Sequence, residues 1–438
     1  MSPPAPVPKA SPVPGSSLAR LAGLGGMAAG IGGRMVLDVA RQVATGQRPR
    51  LADLLLTPTN ALEVTRQLAQ MRGAALKVGQ LMSMDTGDFL PREFADILSR
   101  LRADADHMPP EQLRSVLDRA WGKGWISRFA RFDVRPIASA SIGQVHRALT
   151  RDGRDLAIKV QYPGVRHSID SDVANVAGLL RLSGLVPKAL DLAPLLEAAR
   201  AQLHEEADYL REGVCLTRYG ALLAGNPAFQ VPRLHPDLSG PDVLVMDFIE
   251  SHPIEALAQV PQAERDRVIT LLIRLVLDEL FRFNLMQTDP NFANYRYNPK
   301  TGQVVLLDFG ATRSFSPDIA AKFRALMMAQ DREAVRQAAL DIGYFEATTA
   351  PALQAALLDM MELALSPLRA ETPFDFATSD LPQRMRDMGF ALGMEREFAH
   401  VPPMDVLFLH RKMGGLFLLA HRLGARISLA PLLAEYAG

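Results

Sequence analysis

The sequence has one cysteine and no long hydrophobic run. Because Cys215 is alone among 438 residues, an intramolecular disulfide and a cysteine zinc cluster are excluded, as is typical of a reducing compartment. No uninterrupted apolar segment reaches the length of a membrane-spanning helix. The Pro-rich start lacks a basic stretch followed by an apolar core, so no signal peptide is predicted. We expect a cytoplasmic chain without a transmembrane helix, peripheral at the inner membrane surface when it meets a membrane.

An excess of either charge is also absent. Lys plus Arg and Asp plus Glu number 48 each, so no global basic field points to nucleic acid as a partner. His107, His167, His252 and His400 do not have the spacing of a metal site. At 48% hydrophobic residues the chain can bury a sizeable core, and its length allows one large domain or two to three smaller ones.

Composition divides the chain into four segments. Residues 1–17 are rich in Pro and Ser and are expected to form a disordered tail. Residues 18–124 show helical periodicity and are interpreted as a helical extension. Residues 125–250 are strand-rich, and residues 251–438 are mainly helical. The predicted fold class is therefore α+β, with a small strand-rich lobe and a large helical lobe.

Local patterns predict individual elements within these segments. Short strands are predicted at residues 156–160, 231–234 and 243–246. Pro194 suits the first turn of a helix that would run to about Gly213. The apolar segment 407–418, which has a basic centre, is interpreted as a buried helix, and a membrane or partner contact is the lesser alternative.

The most specific motif lies in the helical lobe. Asp289 is followed five residues later by Asn294, and then by an apolar strand that ends in Asp308-Phe309-Gly310. This is the magnesium-binding layout of a kinase-type nucleotide site, in which the Asn and the second Asp hold the metal and the first Asp faces the acceptor group. The motif predicts Asp289 as a catalytic residue, Asn294 and Asp308 as metal ligands, and ATP and Mg²⁺ as cofactors.

A turn of small residues in the strand-rich lobe matches a kinase phosphate loop in part. It keeps the third Gly and the Val of G-x-G-x-x-G-x-V but has Ala at the first two Gly positions. A hairpin turn without a ligand is the alternative. The predicted nucleotide-binding residues of this turn are Ala138, Ser139, Ala140, Ser141, Gly143 and Val145.

Two further residues fit the phosphate-binding part of such a site. Lys159 follows the turn by fourteen residues and ends Leu-Ala-Ile-Lys, the pattern of the kinase lysine that grips the α/β-phosphates and pairs with a helix Glu. Glu212 is its natural partner, and both are predicted to be catalytic. The alternatives are a solvated edge lysine and a solvated acidic helix face, on which Glu205 and Asp208 would lie beside Glu212.

The remaining predictions concern residues that would contact the nucleotide base and a motif in the helical extension. Met246 would lie at the back of an adenine pocket lined by Phe248 and Ile249, although a buried strand Met fits equally well. Lys77 and Gln80 share one helix face, and a surface Lys–Gln pair is the alternative. Gly79 between them costs about 1 kcal/mol relative to alanine in a helix interior, which suggests close approach of another element.

Taken together, the motifs resemble the UbiB/AarF family of atypical kinase-like proteins, also called ADCK proteins, from about residue 60 to the end. The matching positions are Lys77, Gly79 and Gln80 (its K-x-G-Q motif), 138–145 (its Ala-rich loop, with the local departure Ser139), Lys159, Glu206 and Asp208 (its E-x-D motif), Glu212, Asp289, Asn294 and Asp308. The resemblance implies a bilobal protein-kinase-like fold with a helical N-terminal extension. It implies that the K-x-G-Q helix covers the nucleotide site, with Lys77 meeting Glu206 and Asp208, and that both motifs are regulatory.

The same resemblance implies a function. Only a few residues separate Gly310 from a helix predicted to start near Ser316, and no Ala-Pro-Glu follows, so a conventional protein kinase ranks last. The segments 159–165 and 287–291 resemble the branch linked to ubiquinone biosynthesis. The implied activity is a magnesium-dependent ATPase or kinase at the membrane surface, with ATP or ADP as ligand and membrane lipid, quinone intermediates and ubiquinone-biosynthesis enzymes as partners. A small-molecule phosphotransferase and a nucleotide-binding scaffold for a biosynthetic complex remain the alternatives.

Overall fold

The computed structural model describes residues 71, 73–75, 77–78, 107–183, 193–394 and 402–437. The described residues form two compact units. One contains those up to Gly213 together with Leu234–Phe248, and the other contains Val214–Arg233 and those from Ile249 onward. The predicted disordered tail and most of the predicted extension lie outside the described residues, so the four segment boundaries stay predictions.

The first unit contains, in chain order, α1 (Pro110–Trp121), a 3-10 turn (Trp125–Arg128), β1 (Phe129–Phe132), β2 (Ala138–Ser139), β3 (Gly143–Thr150), β4 (Asp155–Gln161), α2 (Val165–Ser183), α3 (Ala193–Ala207), α4 (Tyr209–Leu223, whose later turns belong to the second unit) and β6 (Val243–Asp247). Its strands form an antiparallel sheet with the order β1-β3-β4-β6, and β2 pairs with β3. The strands predicted at 156–160 and 243–246 are confirmed within one residue at each end.

Strand β4 has the hydrophobic core of this unit on one face and Lys159 on the other. Leu156, Ile158 and Val160 are fully buried in a cluster that also contains Leu113 and Leu117 of α1. Since successive side chains of a strand point to opposite faces, Lys159 points away from that cluster. The alternation therefore presents one lysine on the face opposite the hydrophobic core.

The prediction of a single helix from Pro194 to about Gly213 is wrong, because the helix is interrupted at Asp208 and then continues beyond Gly213. Helix α3 ends at Ala207, and α4 begins at Tyr209. Asp208 lies at the break, where its Oδ1 accepts a hydrogen bond from the backbone N–H of Arg211 at 3.0 Å, as an N-cap residue does. The Ala207 carbonyl is satisfied by Nε2 of Gln161 at 2.7 Å. The break puts Glu205 and Glu212 on different helices.

The second unit is mainly helical and carries the remaining strands. In chain order its elements are β5 (Phe229–Gln230), β7 (His252–Pro253), a 3-10 helix (Ile254–Gln259), α5 (Gln262–Phe281), β8 (Leu285–Gln287), a 3-10 turn (Phe292–Asn294), β9 (Tyr295–Asn298), β10 (Gln303–Leu306), β11 (Thr312–Ser314), α6 (Pro317–Met328), α7 (Arg332–Ile342), α8 (Pro351–Arg369), β12 (Phe374–Asp375), α9 (Leu381–Met394), α10 (Met404–Leu423), β13 (Arg426–Ile427) and α11 (Leu429–Ala434). Within the described ranges, no helix has the length and apolar character needed to cross a bilayer.

Small sheets in this unit hold the predicted metal motif. One has the order β5-β10-β9-β7, and β8 pairs with β11. The strand predicted at 231–234 is wrong, because β5 lies just before it and Pro232 has no N–H to donate to a ladder. The helix predicted to start near Ser316 is confirmed, since Ser316 accepts a hydrogen bond from Ile319 and Pro317 begins α6. The helix predicted at 407–418 lies within α10, but it is only partly buried, since Met413 and Leu418 are exposed.

A buried histidine in the sheet predicts how the first unit responds to acid. His146 Nδ1 lies 2.8 Å from the Asp133 carbonyl, and Nε2 lies 2.8 Å from Nε2 of Gln144. The Gln144 oxygen accepts from Met108, so its amide nitrogen faces the ring as a donor and the ring must be neutral there. Burial lowers the pKa of His146 below its ordinary value.

We expect the stability conferred by neutral His146 to be complete above pH 6.5 and to fall as the pH drops below it, because the unfolded chain then binds a proton that the folded chain refuses. The melting temperatures of the wild type and His146→Gln, compared between pH 7.5 and 5.5, check this. On acidification, the melting temperature of the wild type should fall further than that of the variant. Parallel pH profiles would contradict the assignment.

Candidate functional site

The loop after β8 brings Asp289 and Asn294 together. Thr288, which is fully buried, donates its N–H and its hydroxyl to the Ala311 carbonyl at 3.1 and 2.8 Å. Asn291 accepts from the Ala293 N–H and so starts the 3-10 turn that ends at Asn294. The Asn294 Nδ2 then donates to Oδ2 of Asp289 at 3.0 Å.

The position of Asp308 follows from strand register. Leu306 of β10 pairs with Tyr295 of β9, and the Leu307 N–H donates to the Asn294 carbonyl at 3.1 Å. Asp308 Oδ1 accepts from the Gly310 N–H at 3.0 Å, which fixes the carboxylate at the strand end. Asn294 and Asp308 line one cavity. Residues fourteen apart in sequence are thereby brought to one place.

The groups that meet there suit a hard divalent cation. Because Asn294 uses its amide nitrogen on Asp289, its amide oxygen is the atom that can bind a metal, and the carboxylate oxygens of Asp308 are of the same hard type. Across the described part of the chain, no group of three or more His, Cys, Asp and Glu side chains could hold a metal. Mg²⁺ fits a site of one or two protein ligands, because it keeps several waters and takes further oxygens from phosphates.

In the first unit, Lys159 and Glu212 form a buried ion pair. The Lys159 Nζ lies 2.9 Å from both carboxylate oxygens of Glu212. Lys159 is 7% exposed and Glu212 is 1% exposed, so neither the solvated edge lysine nor the solvated acidic face describes them. The Tyr209 ring, 5.2 Å from Nζ, adds a cation–π contact. The predicted pair is therefore present, while its catalytic role stays a prediction.

The small-residue turn is tight and makes one position inaccessible to a side chain. Ala138 pairs with Val145 and Ser139 with Gln144, and the Ala140 N–H donates to the Gly143 carbonyl at 2.8 Å. A Cβ at Gly143 would collide with the carbonyl of Val160 in the neighbouring strand.

The alanines of the turn carry no backbone strain. Among the described non-glycine residues only Asn284 has a positive φ, so Ala138 and Ala140 have ordinary backbone conformations. Gly143 is also absent from the glycines with positive φ and is required for space alone.

The extension reaches this turn through a charged contact. Lys77, 4% exposed, forms a salt bridge with Glu206, and Ser141 Oγ donates to the other Glu206 oxygen at 2.7 Å. Gly73 lies so close to the turn that a Cβ there would be 3.0 Å from the Ser141 carbonyl. The expected meeting of Lys77 with Asp208 is not formed in the described residues, because Asp208 caps α4 instead. Gly79 and Gln80 lie outside the described residues.

The residues predicted for the adenine pocket lie at the end of β6. Met246 is 6% exposed and pairs with Ala157, so the alternative of a buried strand Met holds at least as well. The Phe248 N–H donates to the Asp155 carbonyl at 2.9 Å, and the Arg147 guanidinium lies 3.9 Å from its ring centre. Ile249 is half-buried and opens the second unit. Their contact with adenine stays a prediction.

The sequence did not reveal a buried charged cluster behind the loop. Lys412 lies with its Nζ 2.6 Å from the Gln287 carbonyl and 3.4 Å from Oε2 of Glu279. The Tyr219 hydroxyl and the Gln287 N–H donate to Oε1 of Glu279 at 2.7 and 3.2 Å. Burial raises the pKa of Glu279, and the charge of Lys412 opposes that rise. The sequence carried no clear signal, because Glu279 directly follows Asp278 in α5 and Lys412 directly follows Arg411 in α10.

Comparison with known proteins gives consistent matches. A family model described as the ABC1 atypical kinase-like domain matches residues 100–339. The chain is 37% identical to the mitochondrial atypical kinase COQ8 of Saccharomyces cerevisiae, over 98% of this chain and 86% of that protein. It is 34% identical to the mitochondrial atypical kinase COQ8B of Rattus norvegicus, over 95% of this chain and 79% of that protein.

A solved structure matches over most of both chains. The complex of Rv3197 with erythromycin from Mycobacterium tuberculosis aligns with a TM-score of 0.58 and 24% identity, over 86% of this chain and 95% of that chain. At this identity the likeness concerns the fold alone. The predicted α+β fold of protein-kinase type is confirmed.

Breaking the buried ion pair should destabilise the first unit. We expect Glu212→Gln to cost about 3–5 kcal/mol, because it leaves the Lys159 ammonium buried without its counter-charge. Lys159→Met combined with Glu212→Gln should recover part of this loss. Melting temperatures measure the series, with Glu197→Gln as a control, since Glu197 belongs to an exposed pair worth about 0–1 kcal/mol. If Glu212→Gln is no less stable than Glu197→Gln, the argument from burial is refuted.

Proposed function

The chain belongs to the ABC1 family of atypical kinase-like proteins, the UbiB/ADCK family that its motifs resemble, and we propose that it is a magnesium-dependent, kinase-type ATPase that supports ubiquinone biosynthesis at a membrane surface. The observation that carries the activity is the convergence of Asp289, Asn294 and Asp308, through one hydrogen bond and one strand register. When bound, Mg²⁺ neutralises charge on the phosphates of ATP.

The residues of this chain divide the remaining work between binding and orientation. Asn294 and Asp308 bind the metal through oxygen atoms, and the Gly310 N–H holds the Asp308 carboxylate in place. Asp289, aligned by Asn294, orients the attacking hydroxyl or water. Lys159 supplies a positive charge for the α/β-phosphates, and Glu212 holds that ammonium in one position.

Two features favour hydrolysis, or transfer to a small acceptor, over phosphorylation of a peptide. Gly310 is followed by β11 and then directly by α6, so there is no long segment on which a peptide could dock. Lys77, bound to Glu206, ties the extension to the small-residue turn through Ser141. We infer that the K-x-G-Q and E-x-D motifs regulate access to the nucleotide.

The assignment to ubiquinone biosynthesis follows from the relatives. The proteins that this chain resembles over most of their length carry the names COQ8 and COQ8B. We propose that membrane lipid, quinone intermediates and the enzymes that handle them are its partners. Phosphate release measured with and without liposomes that contain a quinone tests this part, and unchanged release together with normal quinone levels in a deletion strain would remove it.

The metal role is tested by Asp308→Asn. We expect loss of magnesium-dependent ATP binding and at least a 100-fold fall in phosphate release, because one metal carboxylate is removed while the shape is retained. Asp341→Asn is the matched control, since Asp341 is exposed at the end of α7 and contacts Gln337. Unchanged ATP affinity in Asp308→Asn would contradict the metal role.

Asp289→Asn distinguishes an enzyme from a scaffold. An enzyme requires Asp289 for turnover, so the variant should bind ATP with magnesium but release little phosphate and fail to complement a deletion strain. If the protein is a scaffold that needs only the bound nucleotide, Asp289→Asn should still complement the deletion strain. Stoichiometric transfer of phosphate to a soluble metabolite would instead identify a small-molecule phosphotransferase.

A further inference from the structure

Helix α10 contacts the loop of residues 287–294 at two points three residues apart. Lys412 reaches the start of the loop, with Nζ 2.6 Å from the Gln287 carbonyl and 3.2 Å from its side-chain oxygen. Gly415 faces Pro290, the residue directly after Asp289. Residues three apart lie on the same face of a helix, so this face of α10 meets the loop on both sides of Thr288 and Asp289.

The contact at Gly415 leaves no room for a methyl group. A Cβ there would overlap the Cβ of Pro290 and lie 3.2 Å from its Cα and its carbonyl oxygen. A Cβ at the preceding Gly414 would meet nothing within 4 Å. Glycine inside a helix costs about 1 kcal/mol relative to alanine, so the two glycines weaken α10, and only Gly415 has a contact that requires it.

The contact at Lys412 is electrostatic and excludes water. Lys412 is 2% exposed, and its ammonium is balanced by Glu279 of α5, which is 1% exposed. Glu279 also accepts from the Gln287 N–H, so the peptide groups of Gln287 are held from both sides. A buried charge left without a partner is strongly destabilising, so this arrangement tolerates little displacement of Gln287.

We propose that α10 positions the loop of residues 287–294, with Lys412 fixing its start and Gly415 fixing Pro290, so that Asp289 and Asn294 keep the alignment that the metal and the acceptor require. This inference rests on the proposed function only where it concerns activity. Lys412 and Gly415 are positioning residues, because they act through Gln287 and Pro290.

The test compares two helical Gly-to-Ala variants of the full-length chain. Gly414→Ala and Gly415→Ala make the same chemical change at neighbouring positions, and only the second forces Pro290 to move. The first readout is deuterium uptake of peptides covering residues 285–295 without nucleotide. We expect uptake at least 5-fold faster in Gly415→Ala and unchanged in Gly414→Ala. Equal uptake in the two variants would overturn the inference.

The second readout is turnover as a function of Mg²⁺ concentration. A misplacement of about 1 Å costs roughly 100-fold in rate, so Gly415→Ala should lose about that factor in kcat and need more Mg²⁺ for half-maximal activity. Gly414→Ala should match the wild type in both. If the wild type releases no phosphate while the exchange difference is present, the proposed function fails and the positioning role stands. Wild-type kcat and Mg²⁺ dependence in Gly415→Ala would overturn the role.

A second set of variants tests the Lys412 contact separately from folding. Lys412→Met combined with Glu279→Gln removes both buried charges and leaves a side-chain oxygen to accept from Tyr219 and Gln287. We expect the melting temperature of this double variant to lie nearer that of the wild type than the melting temperature of Lys412→Met does. The double variant should still show fast exchange at residues 285–295. Wild-type exchange in the double variant would show that the Lys412 contact does not hold the loop.

Discussion

The hydrogen bond from Asn294 to Asp289 closes the loop on which the proposed activity depends. It joins the residue that would orient the acceptor to one of the residues that would bind the metal. The backbone bond from Leu307 to the Asn294 carbonyl then ties this loop to the strand that ends in Asp308. Two short contacts therefore bring together side chains with hard oxygen atoms from the two ends of a motif in which eighteen residues separate Asp289 from Asp308.

Each unit also contains a buried lysine paired with a buried glutamate. Such pairs add little net stability, because desolvating the charges offsets most of their attraction. They do fix the positions of the two charged groups, since a buried charge that leaves its partner is strongly destabilising. Both carboxylate oxygens of Glu212 accept from the Lys159 ammonium and so keep it in one position. Lys412, balanced by Glu279, holds a backbone carbonyl instead. The same interaction fixes the lysine proposed to bind phosphate in one unit and a loop in the other.

The sequence predicts what short-range pattern and motif can encode. The strand that carries Lys159 and the helix capped by Ser316 are confirmed, because alternation and capping are local properties. The break at Asp208 was missed because an N-cap inside a helical pattern looks like one more acidic residue. Lys412 and Gly415 were missed because their contacts with Gln287 and Pro290 span more than 120 residues, a separation that no periodicity reports.

The most direct measurement is the affinity of the wild-type chain for a non-hydrolysable ATP analogue as Mg²⁺ is raised from zero, with EDTA at the first point. If Asn294 and Asp308 bind a metal that bridges the phosphates, affinity should rise steeply with Mg²⁺ and then saturate. The same affinity in EDTA and in saturating Mg²⁺ would contradict the account, because the two side chains would then have no metal to hold.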